Sequence, residues 1–205
     1  MAKYLITQSL LSAWGYMFDC QEGCEEDAKA DFLATLDRQK KEPTQAMLNG
    51  LAFEDQVYAQ AHGIPREPHD QWERGIRKVA AIIGNAPVQV KAKREIEVCG
   101  MTFLVYGILD ALQAGIIYDV KFRNKSLGSD DIYGKYLSSP QHPAYFYIVP
   151  EATEFQYLVS DGDDVYKETY TRENTRFIGD IIREFAASME SMGLMERYKQ
   201  NWVAL

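Results

Sequence analysis

The sequence predicts an α+β fold in which a central mixed β-sheet of about five strands is flanked by helices. Apolar residues recur at helical spacing from Ser9 to Ile83 and again from Arg172 to Met192. Between Val88 and Phe122 the period of the apolar residues changes to two, which is typical of strands. The predicted order is therefore helices, three strands, helix, two strands and helix, an order that favours one sheet with helices packed against it.

Four helices are predicted before the first of these strands. Pro43 suits the first turn of the third helix, because a residue there has no intrahelical partner for its N–H. Gly63 and Pro65 end that helix, and Gly84 with Pro87 ends the fourth. The predicted helices span Ser9–Phe18, Glu25–Arg38, Pro43–His62 and Gln71–Ile83.

The second half of the chain is predicted to contain all of these strands. Val88 to Val98, Thr102 to Leu112 and Gly115 to Phe122 form a three-stranded meander. A helix in two pieces is predicted from Asp130 to Pro150, broken near Pro140 and Pro143. A hairpin from Glu154 to Tyr170 follows, turning at Asp161-Gly162, and then a helix from Arg172 to Met192 with a short one after Gly193.

Composition limits the class of protein. With 205 residues, 46% of them hydrophobic and 25% charged, the chain is expected to form a single domain, with helices over 1–86, a core over 45–170 and helices over 172–205. No stretch approaches the roughly 18 to 20 uncharged apolar residues that span a bilayer, and no basic region precedes an apolar run. We therefore expect a cytoplasmic protein without a membrane partner.

The formal charge of −8 argues against a protein that coats nucleic acid through a basic surface. Local contacts with phosphate stay compatible with this charge, because a divalent cation held by carboxylates inverts the sign of the local field. Cys20, Cys24 and Cys99 are too few for a four-thiolate site, so buried or free thiols are expected.

The informative stretch is VYGILDALQAGIIYDVKFR. Side chains two apart on a strand share a face, so Asp119 and Lys121 point the same way. If Ala114 and Gly115 are the two turn residues of a hairpin, Asp110 lies directly opposite Asp119. Two opposed carboxylates among apolar residues require a positive charge, and a hard divalent cation can take oxygens from both.

Glu54 adds a third acid. On the predicted Pro43–His62 helix it falls within an apolar stripe that includes Met47, Leu51 and Tyr58. A core-facing carboxylate needs a partner, and helix-terminus or loop donors could supply it as well as a metal. The simpler alternatives stay open for each acid: Asp119 with Lys121 could be an exposed ion pair, and Glu54 could lie at a misjudged helix edge.

Four short motifs occur along this chain in an order that resembles the PD-(D/E)XK nuclease superfamily, specifically its RecB-like branch. In that branch a helix Glu precedes a strand with G-x-x-D, a strand with D/E-x-K and a helix with Q-x-x-x-Y. The resemblance covers about Gln45 to Tyr170, and the opening TQSLLSAW resembles the first helix of the branch. The motifs in this chain are Phe53-Glu54, Gly107-Ile108-Leu109-Asp110, Asp119-Val120-Lys121 and Gln141-His142-Pro143-Ala144-Tyr145.

The resemblance implies a restriction-endonuclease-like core and a site for Mg²⁺ or Mn²⁺. Asp110 and Asp119 would bind the metal, Glu54 would be a further ligand or would hold a water, and the backbone carbonyl of Val120 would complete the shell. Some members of the branch carry an iron–sulfur cluster on one early and three late cysteines. This chain has no cysteine after Cys99, so no iron–sulfur cluster is expected.

The remaining motif residues would act around the scissile phosphate. Lys121 would position the attacking water and stabilise charge on the phosphate. Gln141 and Tyr145, four apart on one helix face, would orient Lys121 or contact the DNA backbone, the alternative being ordinary helix packing. His142 could be a surface residue or a DNA contact. Pro143 requires the helix to begin close to Gln141.

The function implied is that of a Mg²⁺- or Mn²⁺-dependent deoxyribonuclease, of the RecB-like exonuclease kind, acting on single strands or ends in phage or host DNA recombination or repair. Since the chain has no P-loop, a helicase or recombination partner would supply any motor. Candidate phosphate contacts are Lys91, Lys93, Arg94, Arg123, Lys125 and Lys135, although a solvated strand face is the simpler interpretation of the first three. The alternative is a catalytically silent nuclease-fold module that binds nucleic acid or a partner protein; a small-nucleotide phosphohydrolase is disfavoured because no His-Asp pair or phosphate loop is present.

Overall fold

The computed structural model describes residues 2–128 and 132–204. These residues form a six-stranded mixed sheet with helices on both faces, which confirms the predicted α+β class and is consistent with a restriction-endonuclease-like core. The strands are β1 (Lys3–Thr7), β2 (Val88–Val98), β3 (Met101–Gln113), β4 (Ile116–Phe122), β5 (Glu154–Ser160) and β6 (Val165–Thr171). The helices are α1 (Gln8–Asp19), α2 (Glu25–Leu36), α3 (Gln45–Ala61), α4 (Glu73–Ile83), α5 (Gln141–Ile148), α6 (Ile178–Ser191) and α7 (Met195–Asn201).

The sheet runs in the order β1-β3-β4-β5-β6, and β2 pairs with β3 outside this path. The β2–β3, β3–β4 and β5–β6 pairs are antiparallel, whereas β1–β3 and β4–β5 are parallel. The meander and the hairpin around Asp161 are therefore confirmed. The prediction missed β1, although the run Tyr4-Leu5-Ile6-Thr7 has strand composition.

Two cores lie on opposite faces of the sheet. Alternation along β5 shows the separation, since Phe155, Tyr157 and Val159 pack in one core and Leu158 in the other. The first core contains Leu10, Phe32, Phe146, Phe185 and Tyr198, which come from α1, α2, α5, α6 and α7. The second core contains Phe53, Val57, Ile76 and Val79 from α3 and α4.

Helix boundaries differ from the predictions where side chains hold the chain outside a helix. Helix α3 begins after Thr44, whose hydroxyl accepts the N–H of Met47 at 3.3 Å, so Pro43 precedes the helix. Helix α6 begins at Ile178 instead of Arg172, because the Arg172 guanidinium donates to backbone carbonyls around the end of α5, including that of Val149 at 2.9 Å.

The predicted helix over 130–150 is only partly correct. Asp130 and Asp131 lie outside the described residues, and 132–138 form a short 3₁₀ and turn segment. Helix α5 begins at Gln141 and carries Pro143 in its first turn, as the position of that proline required. No helix in the described part of the chain is long and apolar enough to cross a membrane.

Candidate active site at the fork of the sheet

The sheet divides into two arms along one edge of β3, and we call the point of division the fork. One edge of β3 pairs with β2 along almost its whole length. The other edge pairs with β1 over 102–106 and with β4 over 111–113. Within the described part of the chain, residues 107–110 therefore have no strand partner on that edge, and the two arms of the sheet, β1 and β4, separate there. Asp110 is the last residue of this gap.

The β3–β4 hairpin has the predicted register. Ala114 and Gly115 adopt φ of 51° and 80°, which suits a two-residue turn, and Gln113 pairs with Ile116. Counting back along this register places Asp110 across from Asp119, although the ladder itself stops one pair earlier. At that point the backbone N–H of Val120 donates to Asp110 Oδ2 at 2.8 Å.

At this level of the sheet, alternate residues of β3 also switch from one face of the sheet to the other. Ala111 packs in the second core, whereas Leu109, two residues earlier on the same strand, packs in the first. Strand β2 changes face in the same way around Gln89, which lies in the gap of the β2–β3 register opposite Asp110 and has φ of 53°. Asp110 therefore lies at the position where alternate residues of β3 switch from one core to the other.

Asp119 is the most enclosed acid of the site, with 1% of its surface exposed. Gln141 Nε2 donates to its Oδ1. Lys121 Nζ lies 2.6 Å from its Oδ2, but this oxygen has no hydrogen bond of suitable geometry from the described residues. A buried carboxylate oxygen with an incomplete set of partners is unusual in a folded protein and marks a place where a further positive group fits.

The electrostatics of the fork show that negative charge is in excess. Burial raises the pKa of Asp110 well above its usual value, and repulsion by Asp119 and Glu54 raises it further. Burial would lower the pKa of Lys121, but the charges of Asp119 and Asp110 outweigh it and raise that pKa. Lys121 is therefore a permanent cation at neutral pH, and one cation does not balance three acids.

Glu54 approaches the fork from α3. Its Oε1 accepts hydrogen bonds from the Tyr58 hydroxyl at 2.5 Å and from Gln89 Nε2 at 2.8 Å. Burial raises the pKa of Glu54, the bond from Tyr58 lowers it in part, and repulsion by Asp119 raises it again. The carboxylates of Glu54 and Asp119 are thus close enough for their charges to repel each other.

The apolar stripe from which this position was inferred is partly wrong. Met47 and Leu51 are each 57% exposed, and α3 instead buries Phe53, Val57 and Tyr58. The first turns of α3 extend beyond the second core, so their apolar side chains have nothing to pack against. Glu54 is half-buried at the boundary of the core rather than within it.

Helix α5 closes the fork from the side of the first core. The Tyr145 hydroxyl donates to the carbonyl of Ile108, within the unpaired part of β3, at 2.8 Å. A Cβ atom at Gly107 would lie 2.5 Å from Tyr145 Cε1, so the ring requires glycine at this position. The G-x-x-D and Q-x-x-x-Y motifs are therefore in direct contact.

Gln141 and Tyr145 are both about 5% exposed, and each has a partner inside the chain. Gln141 contacts Asp119 rather than Lys121, and its own N–H donates to Ser139 Oγ at 3.3 Å. This placement favours an orienting role over direct contact with DNA. His142 is 2% exposed and stacks on Tyr170 with ring centroids 4.0 Å apart, so the suggested surface position is wrong, and the DNA contact stays a prediction.

The acidic side chains of the fork are not already arranged as the ligands of one metal ion. Within residues 2–128 and 132–204 no three His, Cys, Asp or Glu side chains form a ready-made metal site. The hydrogen bonds explain this, because Asp110 turns one oxygen to the Val120 N–H and Glu54 turns one to Tyr58. The chemistry of the donors nevertheless fits a hard divalent cation, which prefers carboxylate and carbonyl oxygen.

Sequence reasoning missed Tyr58 and Gln89, which hold Glu54. Tyr58 could have been found, since it lies four residues after Glu54 on the same helix face. Nothing in the sequence marks Gln89, because its contact depends on a left-handed backbone conformation and on the packing of α3 against the sheet.

Comparison with known proteins gives a fold and no family. No family model matches the chain, and no curated protein matches its sequence. The crystal structure of SSO0001 is similar with a TM-score of 0.53 and 14% identity, over 94% of this chain and 78% of that one. The crystal structure of LHK-Exo in complex with dAMP is similar with a TM-score of 0.51 and 12% identity, over 95% of this chain and 91% of that one. The chain thus shares its overall fold with these two structures.

Proposed function

We propose that this chain is a metal-dependent deoxyribonuclease of the RecB-like PD-(D/E)XK branch that hydrolyses phosphodiester bonds at the fork. The observation that carries this proposal is the convergence of Asp110, Asp119 and Lys121 beside the part of β3 that has a described strand partner on one edge only, with Gln141 bonded to Asp119. The similarity to LHK-Exo, a structure that holds the nucleotide dAMP, supports it. A helicase or recombination partner and a role in phage or host repair stay predictions from the resemblance.

A divalent cation would fit the charge of the fork. Asp119 Oδ2 is buried and accepts no hydrogen bond from the residues that the structure describes, and burial together with repulsion between the acids raises the pKa values of Asp110 and Glu54. We propose that Asp110, Asp119, Glu54 and the carbonyl of Val120 hold Mg²⁺ or Mn²⁺, once Glu54 turns away from Tyr58. When bound, such an ion lowers the pKa of water and neutralises charge on the phosphate.

The side chains of the fork have distinct parts in hydrolysis. Water adds to phosphorus, and the bond from phosphorus to the leaving nucleoside oxygen breaks. Lys121, cationic at neutral pH, donates to non-bridging phosphate oxygens and stabilises the charge that develops there. Asp119 fixes the ammonium of Lys121 at 2.6 Å, and Gln141 fixes the carboxylate of Asp119. Positioning of this kind lowers the entropic part of the barrier.

The test is cleavage of labelled linear and circular DNA, single- and double-stranded, with Mg²⁺, Mn²⁺ or EDTA. Lys121→Ala and Asp119→Asn are expected to lower the rate by a factor of about 10² to 10³ or more, because Lys121 acts at the phosphate and Asp119 would hold both the ammonium of Lys121 and the ion. Lys78→Ala and Asp164→Asn are the matched controls, since Lys78 pairs with Asp164 and is 34% exposed against 36% for Lys121.

Both control variants are expected to keep the wild-type rate, and cleavage of circular substrates would indicate an endonuclease. The proposal fails if pure wild-type protein cuts no substrate with either metal. One observation favours the second candidate, a silent nuclease-fold module, namely that no three acids of the described residues already form a metal site. Such a module would bind DNA equally well with and without Mn²⁺ and would not cut it.

A further inference from the structure

A groove of about 710 Å³ opens directly beside the candidate site. Lys121 and Gln141 line it, so the groove and the carboxylates of the fork share a wall. Helix α1 forms one side, and the segment 135–140 before α5 forms the other. The volume lies within the range of about 300 to 1,000 Å³ that is typical of pockets for small ligands.

Exposed apolar side chains line this groove. Tyr16 and Phe18 on α1 are 50% and 60% exposed, and Leu137 across from them is 69% exposed. Aromatic rings with free faces bind nucleic-acid bases by stacking. Bases inside a duplex already stack on each other, so several aromatic rings can cover successive bases only where the strand is unpaired.

The charges of the groove are modest. Lys135 is exposed and forms no ion pair with any residue that the structure describes, whereas Lys121 is paired with Asp119 and Arg176 with Glu184 at 2.5 Å. One free cation can neutralise about one phosphate. In a chain of net charge −8, binding here must come mainly from stacking.

We propose that the groove holds a short stretch of unpaired nucleotides next to the scissile phosphate, with bases on Tyr16 and Phe18 and a backbone phosphate at Lys135. This inference rests on the nuclease function proposed above and specifies its substrate as a single strand or a single-stranded end. A flush duplex must open before the groove can take its bases.

The experiment measures binding of a fluorescein-labelled oligo-dT and of a blunt-ended DNA hairpin by anisotropy in EDTA, where nothing is cut. Wild type is expected to bind the oligo-dT more tightly. Tyr16→Ala and Phe18→Ala should each weaken that binding by about 5-fold or more, the loss of one stacked base. Lys135→Gln should make the dependence on salt shallower by about 0.7 in log–log slope.

Phe177→Ala is the matched control, because Phe177 is 57% exposed but lines a different cavity beside Tyr147. Equal binding of hairpin and oligo-dT, or an equal loss in Phe177→Ala and Phe18→Ala, would overturn the groove proposal. Cleavage without a preference for oligo-dT would leave the nuclease function standing and the groove proposal wrong. Binding that depends on Tyr16 and Phe18, without any cleavage, would support the groove proposal and contradict the nuclease function.

Discussion

The fork and the β5–β6 turn both contain aspartates, but their surroundings shift the pKa of these aspartates in opposite directions. In the turn, Asp161 Oδ1 accepts the N–H groups of Asp163 and Asp164 at 3.1 and 2.9 Å, and its Oδ2 accepts that of Leu127 at 3.1 Å. Burial acts to raise the pKa of Asp161, but these backbone donors outweigh it and lower that pKa. At the fork, burial and neighbouring acids raise the pKa of Asp110.

The difference shows which partners an ionised carboxylate needs in order to stabilise the fold. In the turn, each oxygen of Asp161 has a backbone donor, and Asp163 and Asp164 are paired with Arg74 and Lys78 at the surface. At the fork, three acids share Lys121, so the folded protein bears a free-energy cost for their ionisation. A cost of this kind at a concave, enclosed place favours function over stability.

Addition of Mn²⁺ should give the largest difference between the two regions. At a Mn²⁺ concentration about 100-fold above the dissociation constant, the wild type should gain about 2.7 kcal/mol of stability, a rise in Tm of about 5–10 °C. Thermal melts with and without EDTA measure it. Asp119→Asn should lose the shift and Asp164→Asn should keep it; an equal shift in both variants would place the ion outside the fork.

Glycine substitutions separate packing from activity in the two regions. A Cβ at Gly107 would lie 2.5 Å from Tyr145 Cε1, and one at Gly162 would lie 2.8 Å from Trp72 Cδ1. Gly107→Ala and Gly162→Ala should each lower the free energy of unfolding by about 1–3 kcal/mol in denaturant melts. Only Gly107→Ala should lower the cleavage rate of the folded protein, because it displaces α5 from the fork. Full activity in that variant would contradict the role of Tyr145 and α5.

Neutralising one carboxylate in each region should change stability in opposite directions. Without metal, Asp110→Asn should stabilise the protein by about 1 kcal/mol, because a neutral amide removes the repulsion and still accepts the Val120 N–H. Asp161→Asn should destabilise it by about 1 kcal/mol, since an amide lacks one of the acceptor oxygens. Denaturant melts in EDTA give both values, and changes of the same sign would contradict the comparison.

The pH dependence of the same two variants sharpens this result. Stability from protonated Asp110 is full below its usual pKa of 3.8 and is lost as pH rises through its raised pKa. The advantage of Asp110→Asn should therefore grow as the pH rises from 3.8 through the raised pKa of Asp110. Stability from ionised Asp161 is present above 3.8 and is lost as pH falls through its lowered pKa, so the deficit of Asp161→Asn should be constant over that range.

Local patterns determined a large part of this protein. The period of two, the Ala114-Gly115 turn and the spacing of Asp119 and Lys121 are short-range features, and they placed Asp110 opposite Asp119 correctly. Pro143 located the start of α5 for the same reason, because the backbone restriction of a proline acts on its immediate neighbours. The order of helices and strands also followed, apart from β1.

Contacts between distant parts of the chain decided the rest. The fork exists because β1 and β4 share one edge of β3. The β1–β3 pairing joins residues almost a hundred positions apart. The exposure of Leu51, the burial of His142 and the bond from Gln89 to Glu54 depend on which elements pack together. Since the free energy of those contacts arises only in the assembled fold, periodicity along the sequence carries no trace of them.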